Sequence, residues 1–416
     1  MEQDWLCKAT ERISTILNSY EYKCDSRLEP AYFSREGGEI GFVNMIAIRL
    51  NFLARSMQTE LDDFFEHILK KTEGISKQAF AEARFKLTVN AFRLLFEDTA
   101  KLAACSGFET FKGYRVLAFD GTVLMLEDTY SLREHFGVET GCAAARASVM
   151  ADMLNCGLIL DAEIDKLACG ERELAVRHIR KLKELNISKP LLTADRGYAS
   201  AEMLETLLAD SIPFLFRLQK SFNAEIDRLP LGDHDKEVTI KKRVFRLRIL
   251  KFRLSSGEIE TLITNLPNNT ISADDLKELY RLRWGVETAY RVLKSALQIE
   301  NFTGTSQLVV KQDFFATVFL KNMASFAKID SNVIVAQNHK PSNLYQQQTN
   351  ENLLIGKLKD KLILALLESD PLVQAQMINA IIQQAARHPI PICPGRHFPH
   401  LRKHSNHFHL AGKSSL

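Results

Sequence analysis

Between residues 112 and 218 the sequence alternates between two periodicities, and that alternation limits the fold more than any other feature of the chain. YRVLAFDGTVLML reads as a strand that stops at Asp120-Gly121 and restarts after a turn. ARASVMADML and LILDAEI read as two further strands, with Asn155, Cys156 and Gly157 at the break between them. ERELAVRHIRKLKELN then takes up the helical period, and PLLTADRGY is a short buried strand closing at Asp195. SAEMLETLLAD is helical again and IPFLFRL is a strand. Strand, strand, strand, helix, strand, helix, strand predicts an α/β fold, a mixed sheet with helices on both faces.

The flanks have a different grammar. Residues 1–110 read as helical, as in LDDFFEHILKK and AFRLLFEDTAKLA. Between those two segments Gly74 makes a turn and Ser76 is placed to cap a helix carrying Lys77, Gln78, Arg84 and Lys86. Helix, glycine turn and basic helix fit a DNA-reading helix-turn-helix, and fit equally a plain helical hairpin in a bundle. Residues 219–270 form an inserted β segment, in which RVFRLRILKFRL, SSG and EIETLITNL make a hairpin. Eight Lys or Arg and a single acid, Glu237, lie between Lys236 and Arg253, so this ribbon suits a phosphate-tracking surface. Residues 271–330 return to the core, beginning with a helix capped by Ser272, and 331–416 are helical with a basic, His-rich tail.

Composition excludes some classes. The formal net charge is only +3, so nucleic-acid binding must rest on local patches. Seven cysteines show no CxxC pair and read as reduced thiols of a cytoplasmic protein. The N-terminus lacks a signal-peptide layout, and no apolar run approaches the roughly 20 residues of a membrane span.

The stretch YRLRWGVETAYRVLK carries the chemistry. On one continuous helix, Tyr280, Arg283, Glu287, Arg291 and Lys294 fall within an arc of roughly 80°. Leu282, Val286, Ala289, Leu293 and Leu297 take the opposite side. A solvated salt-bridge ladder would look like this. So would a helix whose Glu287 binds a metal while the cations hold phosphates. Asp120 and Asp195 tip the balance, because each closes a strand where ligands collect on an open sheet. In-line attack on a phosphodiester develops charge on two oxygens, and two Mg²⁺ held by carboxylates stabilise both. Arg146 and the Glu171-Arg172 pair read as support or surface.

Tyr280, two residues, Arg283, three residues, Glu287, six residues, Lys294 is the tyrosine-arginine-glutamate-lysine spacing of one class of bacterial insertion-sequence DDE transposases. With DGT at Asp120, DRGY at Asp195 and ISKQAFAEAR near the N-terminus, the chain resembles these enzymes from about residue 58 to 330. The resemblance implies a ribonuclease-H-like core with Asp120, Asp195 and Glu287 as catalytic and metal-binding triad. It implies two Mg²⁺, with Mn²⁺ able to substitute, and transposon-end phosphates on Tyr280, Arg283, Arg291 and Lys294. Lys77, Gln78 and Arg84 join them as DNA-binding residues through the basic helix. The implied reaction is cut-and-paste transposition: cleavage at the element's ends through hairpin intermediates, then strand transfer into target DNA by a homodimer, in a bacterial cytoplasm and at the nucleoid. Two rival readings keep the same residues: a nuclease without strand transfer, and a catalytically silent DNA-binding repressor. Two features depart from the family. The insertion has no Trp to hold a flipped base, leaving Phe222, Phe245 and Phe252. The tail from His388 holds six of the eleven histidines where relatives carry Lys and Arg; it reads as a mobile, weakly basic tail or, less simply, a zinc site.

Overall fold

A computed structural model of the chain describes residues 4–34, 40–51 and 55–393, so the His397–His409 part of the tail lies outside the described residues. The chain forms two compact units. One comprises Met1–Leu102, Leu124–Ala145 and Val292–Leu416, the other Ala103–Val123 and Arg146–Arg291.

The second unit is built on a sheet. Its strands are β1 (Arg115–Met125), β2 (Val138–Glu139), β3 (Cys142–Asp152), β4 (Leu158–Lys166), β5 (Pro190–Ala194), β6 (Phe214–Arg217), β7 (Gly232–Ile240), β8 (Arg243–Arg253) and β9 (Ile259–Thr264). They run in the order β2-β3-β1-β5-β6-β9-β8-β7, with β4 paired to β3. β2 and the adjoining ends of β1 and β3 belong to the first unit. β1 pairs parallel to β5 and β5 parallel to β6, and helices Glu171–Leu185 and Ala201–Ala209 make the crossovers. That order is a mixed sheet with a parallel trio, β1, β5 and β6, at its middle. The β3–β4 turn is the expected one, with Cys156 and Gly157 both at positive φ.

The inserted segment extends this sheet instead of standing apart. β9 pairs antiparallel with β6, β8 with β9 and β7 with β8. The sequence reading has the β8–β9 hairpin and lacks β7, whose GDHDKEVTI is charged at four of nine positions and alternates apolar residues only at Val238 and Ile240. Val116, Leu191, Leu215, Leu250 and Leu262 form one core face of the sheet and bury Leu276, Leu279 and Tyr280 of the helix Ala273–Leu282. Their strand neighbours Phe119 and Phe216 are buried with ring centroids 6.1 Å apart, so the strands are apolar on both sides.

Two local expectations are corrected. β1 does not break at Asp120-Gly121 but runs through it, leaving Asp120 within the strand. Glycine at 121 serves close approach and not a turn: an added Cβ would lie 3.0 Å from Glu171 Cγ. The YRLRWGVE segment is also not one helix. Ser272 starts Ala273–Leu282 with a capping box to Asp275, as expected, but the chain breaks at Arg283. A new helix spans Trp284–Arg291 and a π segment follows over Val292–Ala296. At the junction Arg283 N bonds Tyr280 O and Val286 N bonds Arg283 O, both at the tighter three-residue spacing. The predicted polar stripe is therefore split. Tyr280 and Arg283 are each 4% exposed, whereas Glu287 and Arg291 face solvent.

The first unit is helical. Gln307–Gln337 is buried almost all round, with Val310, Phe314, Phe319, Met323 and Phe326 fully or nearly fully enclosed. Ser76 accepts from Ala79 N and caps Lys77–Arg84 as predicted. Arg84 departs from the expectation of a DNA contact. It is 2% exposed and gives its guanidinium to Asp313, Gln312 and Thr303, so only Lys77 and Gln78 of the three named residues stand on the surface.

Candidate active site

Asp120 is held from several sides. Its Oδ1 accepts Gly121 N–H at 2.9 Å and faces the Tyr198 hydroxyl at 3.5 Å. Its carbonyl oxygen accepts from Tyr290 Oη at 2.7 Å and Ser148 Oγ at 2.9 Å. Burial pushes its carboxyl up to about 6 against the Gly121 amide and the Arg283 charge, and the Glu171 and Glu287 carboxylates add to the rise. A carboxyl that is costly to ionise alone is one that a cation would stabilise.

Asp195 follows the last residue of β5, as read from ADRG, and its Oδ1 accepts from Tyr280 Oη at 3.4 Å. Glu287 is held by Arg283, whose Nη2 donates to Glu287 Oε1 at 3.0 Å across one helical turn. Arg283 joins the three acids electrostatically: its charge acts on Asp120, and the charges of Asp195 and Glu287 act on it. The guanidinium also lies 5.7 Å from the Tyr280 ring centroid and 5.4 Å from that of Trp284. Its Nε is buried with no hydrogen-bond partner. A buried donor left without an acceptor is expensive, and an anionic oxygen would satisfy it.

The remaining predicted residues are distributed more widely. Arg291 is exposed on the same helix as Glu287, and Lys294 lies in the π segment with Nζ 3.3 Å from Glu300 Oε1. Three residues beside the acids carried no role in the sequence reading, Tyr198, Tyr290 and Trp284, and a fourth, Glu171, was read only as support or surface. Glu171 reaches the Asp120 neighbourhood from the start of its helix and pairs with Arg146 at 2.8 Å. Trp284 is 58% exposed directly after Arg283. The one sequence signal for these was an aromatic or acidic residue adjoining a motif position, as with Tyr198 three residues after Asp195.

Among the described residues no group of three or more His, Cys, Asp or Glu side chains is arranged to hold a metal ion. The acids are tied to protein donors instead. Their chemistry nevertheless suits a divalent hard cation: they are oxygen donors only, and the buried Asp120 resists ionisation. Beside Asp195, a cavity of about 570 Å³ is lined by Arg196, Arg217, Lys220 and Arg253, against Asp227 and Glu258. Of the candidate insertion aromatics, Phe245 is buried in the sheet and Phe252 packs on the core, and none of Phe222, Phe245 or Phe252 lines this cavity. No helix among the described residues is long and apolar enough to cross a membrane.

Comparison with known proteins supports the reading as an insertion-sequence DDE transposase. The transposase DDE domain family matches residues 111–323, more than half of the chain. A probable transposase for insertion sequence element IS5377 of Geobacillus stearothermophilus is 23% identical over 146 residues, which cover 32% of this chain and 38% of that protein. A cryo-EM structure of a piggyBac transposase synaptic complex with hairpin DNA aligns over 92% of this chain and 85% of its own, with 12% identity and a TM-score of 0.45. On the extent of the domain match, the chain belongs to the DDE transposase family.

Proposed function

We propose that this transposase cuts DNA at the ends of its own insertion element and joins the freed ends to target DNA, with Asp120, Asp195 and Glu287 as the acids that hold two Mg²⁺. The observation that carries this reading is the position of Arg283, a buried cation whose charge couples to all three carboxylates. Bound there, the two ions would supply a nucleophilic oxygen and stabilise the departing one. The protein does the rest. Gly121 N–H and Tyr198 hold the Asp120 carboxylate, and Tyr280 orients Asp195. Arg283, with Nε unsatisfied, offers a donor to a phosphate oxygen, and Arg291 and Lys294 add charge for the backbone. The cation-lined cavity beside Asp195 favours phosphate over a stacked base, because its lining has no aromatic residue.

Hairpin ends, a dimer on paired ends and end recognition through Lys77 and Gln78 belong to the same proposal. The test is incubation with Mg²⁺ and DNA bearing the ends of the chain's own genomic element, scoring nicks, hairpins and joined products. Asp195→Asn should abolish all three while end binding persists. Undiminished cleavage by that variant would end the assignment. Nicks without joined products would favour the nuclease reading.

A further inference from the structure

Three buried polar residues behind Asp120 have no part in the reading above. Ser148 on β3 and His178 on the Glu171–Leu185 helix are fully enclosed, and Asp161 on β4 is 7% exposed. They form a chain. Asp161 Oδ2 lies 2.7 Å from His178 Nδ1, His178 Nε2 lies 2.9 Å from Ser148 Oγ, and Ser148 Oγ lies 2.9 Å from the Asp120 carbonyl oxygen.

Serine, histidine and aspartate in series also make a hydrolase nucleophile. That use is closed here, because Ser148 presents no surface to a substrate and its proton is already committed. A carbonyl oxygen can only accept, so the Ser148 hydroxyl donates to Asp120. Ser148 in turn accepts from His178 Nε2–H. The 2.7 Å contact between Nδ1 and the Asp161 carboxylate requires a proton within it as well. The Ser148 and His178 Nε2 donors both point towards the Asp120 peptide, where Tyr290 Oη supplies a second hydrogen bond to the same oxygen.

This matters because Gly121 follows Asp120, and a glycine peptide offers little resistance to rotation. We infer that Ser148, His178 and Asp161 are positioning residues: by locking the Asp120 carbonyl from behind, they fix where its carboxylate meets the metal ions. The inference rests on the assignment of Asp120 as a metal ligand.

The experiment is Mn²⁺ titration of the full-length protein by calorimetry, with end-DNA affinity and thermal melting measured on each variant. Ser148→Ala and His178→Leu should weaken Mn²⁺ binding about 10-fold or more, the usual range for residues that orient a ligand. End-DNA affinity should be unchanged. His178→Gln, which keeps a donor at the Nε2 position, should recover most of the loss. Wild-type Mn²⁺ affinity in Ser148→Ala would overturn the inference. So would a His178→Gln no better than His178→Leu, which would reduce the trio to an anchor for its helix. If His178→Leu fails to fold, Ser148→Ala decides alone. Asp120→Asn is the control: if it too binds Mn²⁺ as the wild type does, the metal-ligand assignment has failed, whereas a loss there with none in Ser148→Ala removes the relay only.

Discussion

Asp120 concentrates the conflict that defines the site. Its carboxyl is raised to about 6 chiefly by burial, while in the unfolded chain it would titrate near the ordinary aspartate value. Between those two values the folded protein keeps a proton that the unfolded chain has released, so stability declines as pH rises through the window and is flat above it. Asp120→Asn cannot ionise and escapes that cost. In metal-free protein at pH 7–8 it should be more stable than wild type by about 1–3 kcal/mol, with the difference fading towards pH 4. Urea melts in EDTA across that range would measure it. An equal or lower stability of the variant at pH 8 would show that Asp120 is not strained by its surroundings. Here function and stability oppose each other, which is common where charge is held ready for a ligand.

At the scale of elements, the sequence was most informative where periodicity and turn chemistry agreed. The strands and crossover helices of residues 112–218 and the Ser272 cap were legible for that reason. β7 was not, because its first six residues are polar or Gly, its apolar alternation is confined to Val238 and Ile240, and it becomes a strand by pairing to β8. The break at Arg283 was invisible to helical periodicity, since Trp284-Gly285 is compatible with a continuous helix. Gly285 also packs closely, since a Cβ there would lie 3.0 Å from Met153 Sδ. The inward turn of Arg84 is of the same kind. Helix Lys77–Arg84 looked basic, but its arginine serves Asp313 of Gln307–Gln337, together with Arg49 of Phe42–Arg49. Burial alone would raise the Asp313 carboxyl, yet the two guanidiniums hold it well below the usual carboxylate range. Its contribution is therefore present above the unfolded aspartate value and persists until strongly acid pH. Asp313→Asn would strand two buried guanidiniums, and a loss of about 3–5 kcal/mol is expected from denaturant melts at pH 7. A loss below about 1 kcal/mol would mean the network is better hydrated than its burial implies.

For the whole molecule, the near-neutral net charge makes local placement decisive. The acids and Arg283 and Arg291 belong to one unit, whereas Lys77, Gln78 and Lys294 belong to the other. If DNA is gripped by both, counterion release adds over the phosphates each neutralises, so the slope of log affinity against log salt counts contacts one at a time. Lys294 and Lys77 are proposed to make one contact each, and Arg84 none. Lys294→Ala and Lys77→Ala should each reduce the slope for end binding by about 0.9. Arg84→Gln should leave it unchanged in whatever fraction stays folded, because a guanidinium that is 2% exposed and bonded to Asp313 has nothing to release. Lys294 must first leave Glu300, 3.3 Å away, so Glu300→Gln should strengthen end binding without altering the slope. Filter or fluorescence binding from about 50 to 200 mM salt resolves a change of that size. An unchanged slope in Lys294→Ala would return that residue to a simple surface ion pair. A slope lowered by Arg84→Gln would mean that the helical unit opens when it meets DNA.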